Sequence, residues 1–275
     1  MRIRIVDAFT DRPFAGNPAG VLLLDADSFP EDGWLQLVAA EVNLSETAFA
    51  HPTPGAPDTD WALRWFTPRA EVNMCGHATL ATAHILHDTG AARGPVRFGT
   101  RSGVLTAAAG EDGTITMDFP VAPLTPVDVT EEIAAAIGAE VLSVHETGED
   151  VGDLLVEVVD EKTVRALTPD IAAVAALPSK RGLIVTAAAE TPATCGYDFV
   201  SRGFFPAVGI DEDPVTGSAH TALAPFWARR LGREELTGLQ ASARSGLVRT
   251  ALGGDRVRLS GRAVTVIDGE LHARP

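Results

Sequence analysis

Apolar and polar residues alternate with a period of two in "MRIRIVDAFT", and the apolar run "AGVLLL" follows the Gly/Pro/Asn cluster "DRPFAGNPAG". This pattern predicts a strand, a tight connection and a second strand. The period lengthens to that of a helix in "SFPEDGWLQLVAAEVN", where Ser28 is placed to cap, Pro30 stands near the first turn and the acids come early. "SETAFA" and "WALRWFT" read as further strands. "NMCGHATLATAHIL" reads as a helix that Asn73 is placed to cap and that ends near Gly90, and "PVRFGTRSGVLTAAAGEDGTITMDFP" as strands with a hairpin turn at "EDG".

The segment Pro120 to Pro126, "PVAPLTP", reads as a linker, after which the pattern begins again. "VTEEIAAAIG" and "TPDIAAVAAL" predict helices, and "DLLVEVVD", "RGLIVTAA" and "YDFVSRGFFP" predict strands. "DEDPVTGSAHTALAPFWARRL" is a loop running into a helix, and "SGLVRTAL" with "DRVRLSGRAVTVIDGEL" is strand and hairpin material. Two domains are expected, residues 1–120 and 127–275, with strands outnumbering helices.

The second half echoes the first. Setting "CGHATLATAHIL" beside "TGSAHTALAPFW" puts Gly76 on Gly217, His77 on Ser218, Ala78 on Ala219 and Ala81 on Ala222. Each copy begins a helix after a strand and a polar loop, as a duplicated unit would. Helix N-termini carry unpaired amides and partial positive charge, each worth about 0.3–1 kcal/mol to an anion. Two such ends aimed into one cleft would cradle a carboxylate.

Composition narrows the function. The 275 residues are 45% hydrophobic and 21% charged, which is ordinary for a globular chain. The formal charge is −15, from 22 basic and 37 acidic residues, so nucleic acid and anionic membranes would be repelled. Cys75 and Cys195 are too few for a disulfide framework and lack zinc-site spacing. The start lacks a signal-peptide pattern and no apolar run is long enough to span a bilayer, so a soluble cytoplasmic protein is expected.

Four blocks in order, "DAFTDRPFAGNPAGVLL", "NLSETAF", "RWFTPRAEVNMCGHATLATAHIL" and "GIDEDPVTGSAHTALAPFW", resemble the PhzF family of phenazine-biosynthesis proteins over nearly the whole chain. The resemblance implies an α+β, diaminopimelate epimerase-like fold. It would have two pseudo-symmetric halves, each a β-barrel-like sheet around a central α-helix, with the active site in the cleft. The last strand, near residues 264–275, would cross back to the first half. A homodimer without metal or organic cofactor, acting on a small-molecule carboxylate, is implied as well.

On this resemblance Glu46 stands at the position of the acid/base that moves a proton between carbons, and His77 and Asp213 are further site residues. Gly76, Gly217 and Ser218 would supply N–H and hydroxyl donors to the substrate carboxylate. Read from the residues alone, Glu46 is equally an edge-strand acid, His77 a structural hydrogen-bonder and Asp213 one of three solvated acids with Asp211 and Glu212. His84 and His87 read as packing or surface residues, and their separations from His77 do not suit a metal. Asn17, before Pro18, reads as a turn former.

Epimerases of this fold use two thiols. Cys75 stands where the first could be, but Val215 or Thr216 replaces the second, so a two-thiol racemase is not expected and Cys75 reads as a small buried residue. The expected activity is therefore a cofactor-independent isomerase with one base. The alternatives are an epimerase or racemase using Glu46 with Cys75 or Asp213, and a non-catalytic binder of small acids.

Overall fold

The structure, a computed structural model, describes all 275 residues. The chain forms two compact units, one of Met1–Asp118 with Ser260–Pro275 and one of Phe119–Leu259. In chain order the first contains β1 (Arg2–Ala8), β2 (Asn17–Leu23), α1 (Asp32–Val42), β3 (Glu46–Pro52), β4 (Trp61–Phe66), β5 (Glu71–Val72), α2 (Gly76–Asp88), β6 (Val96–Thr100), β7 (Gly103–Ala109) and β8 (Ile115–Pro120). The second continues with β9 (Thr125–Val127), α3 (Glu131–Ile137), β10 (Val141–Glu146), α4 (Gly148–Val151), β11 (Asp153–Val158), α5 (Glu161–Ala166) and α6 (Ile171–Ala175). It ends with β12 (Gly182–Ala188), α7 (Pro192–Cys195), β13 (Phe199–Phe205), β14 (Ile210–Asp213), α8 (Gly217–Leu231), β15 (Glu235–Gln240), β16 (Gly246–Gly253) and β17 (Arg256–Gly261), before β18 (Ala263–Glu270) returns to the first unit. The class is α+β, as expected.

In the first unit β1 lies antiparallel to β2 and β18, β2 runs parallel to β3, β3 antiparallel to β4, and β4 parallel to β6. The sheet wraps α2, which packs on β1, β2, β3, β7 and β18. Such enclosure explains the helix's composition, because backbone can approach backbone only where side chains are small. Thr79 and Thr82, buried inside it, satisfy their hydroxyls on the carbonyls of Cys75 and Ala78, one turn back, at 2.6 and 2.7 Å. Outside the sheet, α1 packs Leu35, Val38 and Ala39 on Leu22, Phe49 and Phe66.

Two caps differ from the sequence expectation. α1 starts at Asp32 behind Glu31 rather than behind Ser28, because the chain stays non-helical long enough for Phe29 to reach the His51 ring, 4.5 Å between centroids. α2 is preceded by Cys75 rather than capped by Asn73, whose carbonyl instead accepts a bond from Ser102.

The second unit repeats the plan. Its β10–β11, β11–β12, β12–β13, β13–β15 and β15–β16 pairings are antiparallel, parallel, antiparallel, parallel and antiparallel. The β1–β2, β2–β3, β3–β4, β4–β6 and β6–β7 pairings follow the same order. Both faces of the strands are covered. Leu183 and Val185 point to a core with Val156, Val164 and Val174, while Ile184 points to one with Leu155, Phe226 and Trp227 of α8. Burial on both sides is why "GLIVTAA" is nearly all apolar.

Pro225 lies inside α8 and lacks the N–H that would bond the Thr221 carbonyl. Ala122 donates to that carbonyl at 3.2 Å, so the interruption is filled by the segment that follows β8. No helix is long and apolar enough to cross a membrane.

Candidate active site

Glu46 is the first residue of β3, in register with Ala19 of the parallel β2. Its side chain is 13% exposed, and its Oε2 lies 3.4 Å from Nε2 of His77. His77 is the second residue of α2 and is buried. Burial pushes its imidazole down to about 3, so the ring is neutral at pH 7 and the contact is a neutral imidazole against a carboxyl, not an ion pair. At 3.4 Å it lies just beyond a well-formed hydrogen bond.

The other ring nitrogen is engaged from two sides. Asn17 Nδ2 lies 3.2 Å from Nδ1, and Cys75 Sγ lies 3.5 Å from it. Asn17 opens β2 and is fully buried. The loop before it is fastened by the buried Asp7 carboxylate, which accepts from the Phe14 N–H at 2.7 Å. It then turns at Gly16, where φ is +65° and a Cβ would fall 2.1 Å from the Ala8 carbonyl oxygen. The turn that the sequence assigns to Asn17 is thus made by its neighbours, and the asparagine side chain serves His77.

In the second unit Asp213 ends β14, whose strand contains Asp211 and Glu212, so the three acids do not form a loop. Glu212 pairs with Arg202 at 2.7 Å. Asp213 is buried and accepts the Thr216 hydroxyl at 2.6 Å. Gln240, also buried, forks into this turn, accepting from Thr216 N–H at 2.8 Å and donating to the Asp213 carbonyl at 2.8 Å and to Thr216 Oγ1 at 3.1 Å. Thr216 precedes α8 as Cys75 precedes α2, so of the two candidates it is Thr216 that takes the cysteine's place. No side chain caps either helix, so the first-turn amides at Gly76 and Gly217 have no side-chain acceptor.

Ser218 follows Gly217, and its hydroxyl accepts from the Arg181 guanidinium at 3.1 Å. Arg181 binds both oxygens of Asp153, Nε to Oδ1 at 2.9 Å, and lies over the Phe205 ring at 5.0 Å. Burial pushes the Asp153 carboxyl up to about 6 despite the guanidinium. The sequence reads Asn17 as a turn former only, and it does not point to Arg181 or Gln240. Arg181 lies 37 residues from Ser218 and Gln240 lies 24 from Thr216, so no local pattern connects them. His84 bonds Thr265 at 3.1 Å, and Cys195 bonds the Tyr197 carbonyl at 3.2 Å, both away from these clusters.

One ligand atom from each of Glu46, Cys75 and His77 falls within 4.8 Å of the others. A zinc ion needs about 2.0–2.3 Å to each. Here Sγ lies on the Nδ1 side of the His77 ring together with Asn17, and the Glu46 carboxylate lies on the Nε2 side.

The two units also differ at one instructive position. Glu46 pairs with Ala19 at the start of the parallel β2–β3 ladder, and the corresponding β11–β12 ladder starts with Asp153 opposite Gly182. A Cβ at Gly182 would lie 1.9 Å from the Phe204 carbonyl oxygen, so no side chain fits there. The carboxylate is present in one repeat and excluded from the other.

The pattern of the PhzC-PhzF family, described as phenazine biosynthesis-like protein, matches residues 6–269. An uncharacterized isomerase of Pseudomonas aeruginosa is 47% identical over 268 residues, covering 97% of each chain. A PhzF-family crystal structure from Enterococcus faecalis superposes with a TM-score of 0.90 at 38% identity and 99% coverage of both chains. A probable proline racemase of Agrobacterium radiobacter shares the fold, with a TM-score of 0.62 at 15% identity, over 100% of this chain and 93% of its own.

Proposed function

The chain belongs to the phenazine biosynthesis-like PhzC-PhzF family, and from that footing we propose that it is an isomerase that moves a proton within a small carboxylate-bearing substrate, with Glu46 as the acid/base. The observation that carries this reading is the Glu46–His77 contact at the open N-terminus of α2, together with Gly182 in the matching place of the other repeat. One carboxylate can remove a proton from a carbon beside a carbonyl or double bond and return it elsewhere on the same conjugated system. Inversion at a single carbon needs a second group on the opposite face.

In this reading the amide of Gly76 at the start of α2 binds a carboxylate of the substrate, and Gly217 with Ser218 at the start of α8 forms the anion-binding turn of the second unit. His77, neutral and buried, holds the carboxyl of Glu46 in place. Asp213 completes the set by ordering the turn that precedes Gly217. Imidazole and carboxylate suffice for the proton transfer, and the reading calls on no metal or organic cofactor.

The test is proton NMR in deuterated water over a panel of small amino, hydroxy and unsaturated acids. The wild-type protein is expected to exchange one C–H and shift a double bond in at least one of them, and Glu46→Gln to do neither while keeping its circular dichroism spectrum. Full exchange by Glu46→Gln would remove the mechanism. Cys75, 3.5 Å from His77, supports a second reading as an epimerase. Deuterium incorporated with inversion and no bond movement would select it.

A further inference from the structure

We propose that Asn17 is a positioning residue that sets the tautomer of His77, so that Nδ1 accepts and Nε2 carries the proton toward Glu46. The inference rests on the reading of Glu46 as acid/base and adds the group that orients its partner. An amide nitrogen has hydrogens and no lone pair to offer, so Asn17 Nδ2 at 3.2 Å obliges Nδ1 to act as the acceptor. A neutral imidazole has one ring proton, which then belongs to Nε2. That nitrogen lies 3.4 Å from the Glu46 carboxylate.

The surroundings reinforce the assignment. Asn17 is fully buried and His77 nearly so, and little water reaches either to compete for Nδ1. The backbone of Asn17 is held by its ladder pairing with Ala8, next to the buried Asp7, so the amide cannot swing away without disturbing β1.

The chemical consequence concerns Glu46. An N–H directed at its carboxylate favours the ionised form, the form that accepts a proton from carbon. With the opposite tautomer, a lone pair on Nε2 would face the carboxylate and favour its protonated form. The asparagine therefore acts through the imidazole on the base, without touching substrate.

Long-range ¹H–¹⁵N NMR of protein labelled at histidine, with His77 assigned by the loss of its signals in His77→Gln, reads the tautomer directly and needs no substrate. In the wild type Nδ1 is expected at the shift of an unprotonated ring nitrogen and Nε2 at that of a protonated one. In Asn17→Ala both should move toward averaged positions, as the two tautomers become comparable. A proton on Nδ1 in the wild type overturns the proposal even if the variant does not fold, and so does an unchanged tautomer in a folded Asn17→Ala. If the tautomer is as stated but Glu46→Gln exchanges normally, the functional reading fails and the tautomer assignment stands. If Glu46→Gln is inert while Nδ1 carries the proton, only the role of Asn17 fails.

Discussion

Replacing Gln240 by Leu removes the fork that holds the Asp213–Thr216 turn, with little change in side-chain length. The wild-type amide satisfies the Thr216 N–H and the Asp213 carbonyl, both at 2.8 Å, and the residues concerned are buried. Leaving a buried main-chain group unpaired costs about 1–3 kcal/mol. Two of them cost about 2–6 kcal/mol, and about 3 kcal/mol once water entering beside the half-buried Pro214 and Ser218 is allowed for. A drop of roughly 5 °C in the melting temperature is the matching thermal effect for a chain of 275 residues. Urea unfolding at pH 7, followed by tryptophan fluorescence and far-ultraviolet circular dichroism, measures it. Gln240→Glu serves as a control. It keeps an acceptor for Thr216 but sets a carboxylate against the Asp213 carbonyl, so it should be as unstable as the Leu variant at pH 7 and recover on acidification, when the acid regains a donor. A Leu variant within about 1 kcal/mol of wild type would mean that other groups order the turn, and the reasoning would fail.

Two further predictions concern buried ionisable groups. His77 and His220 are held at about 3 and about 4 by burial, below the ordinary 6.5, so the unfolded chain binds more protons and stability falls with pH below 6.5. Between pH 7 and 5 each ring gives up about 2 kcal/mol, Asp153 with its raised value returns about 1, and a net loss of about 3 kcal/mol is expected in urea titrations. His220→Asn should remove about half of the histidine contribution, whereas an unchanged slope would contradict the burial argument. Arg181→Met leaves the fully buried Asp153 carboxyl without its partner and should cost about 3–5 kcal/mol near pH 8. The raised value of that acid makes the penalty shrink below pH 6, because the neutral form needs no guanidinium, and equal losses at pH 5 and pH 8 would count against the pairing.

Legibility in the sequence followed how local each cause is. The strands β2, β11, β12 and β13 stand out because they are buried on both faces and their composition shows it. β10 and β15 do not, since "VLSVHE" and "ELTGLQ" mix polar residues into strands whose pairing is set elsewhere. The start of α1 departs from the local cap signal for a tertiary reason, the packing of Phe29 on His51. Within the site, Glu46 and His77 attract notice as polar residues in apolar or small-residue segments. Asn17 looks like a turn residue before proline, and its side chain acquires a task only because β2 passes alongside α2, where it meets His77.

The duplicated plan explains why one fold can carry one base. Equivalent ladders place Glu46 and Gly182 at the start of equivalent strands, and equivalent helices follow Cys75 and Thr216. In the first repeat the small residues of α2 leave room for a carboxylate and an imidazole. In the second, the Phe204 carbonyl closes over Gly182, and the polar groups are spent on holding a turn: Thr216 gives its hydroxyl to Asp213, and Gln240 locks both. A Cys at the Thr216 position would break that lock, and a side chain at Gly182 would collide with backbone. Converting this chain into a symmetric two-base epimerase would therefore require rebuilding the β12–β13 contact as well as exchanging side chains, which makes the asymmetry a property of the backbone and not of a few substitutable residues.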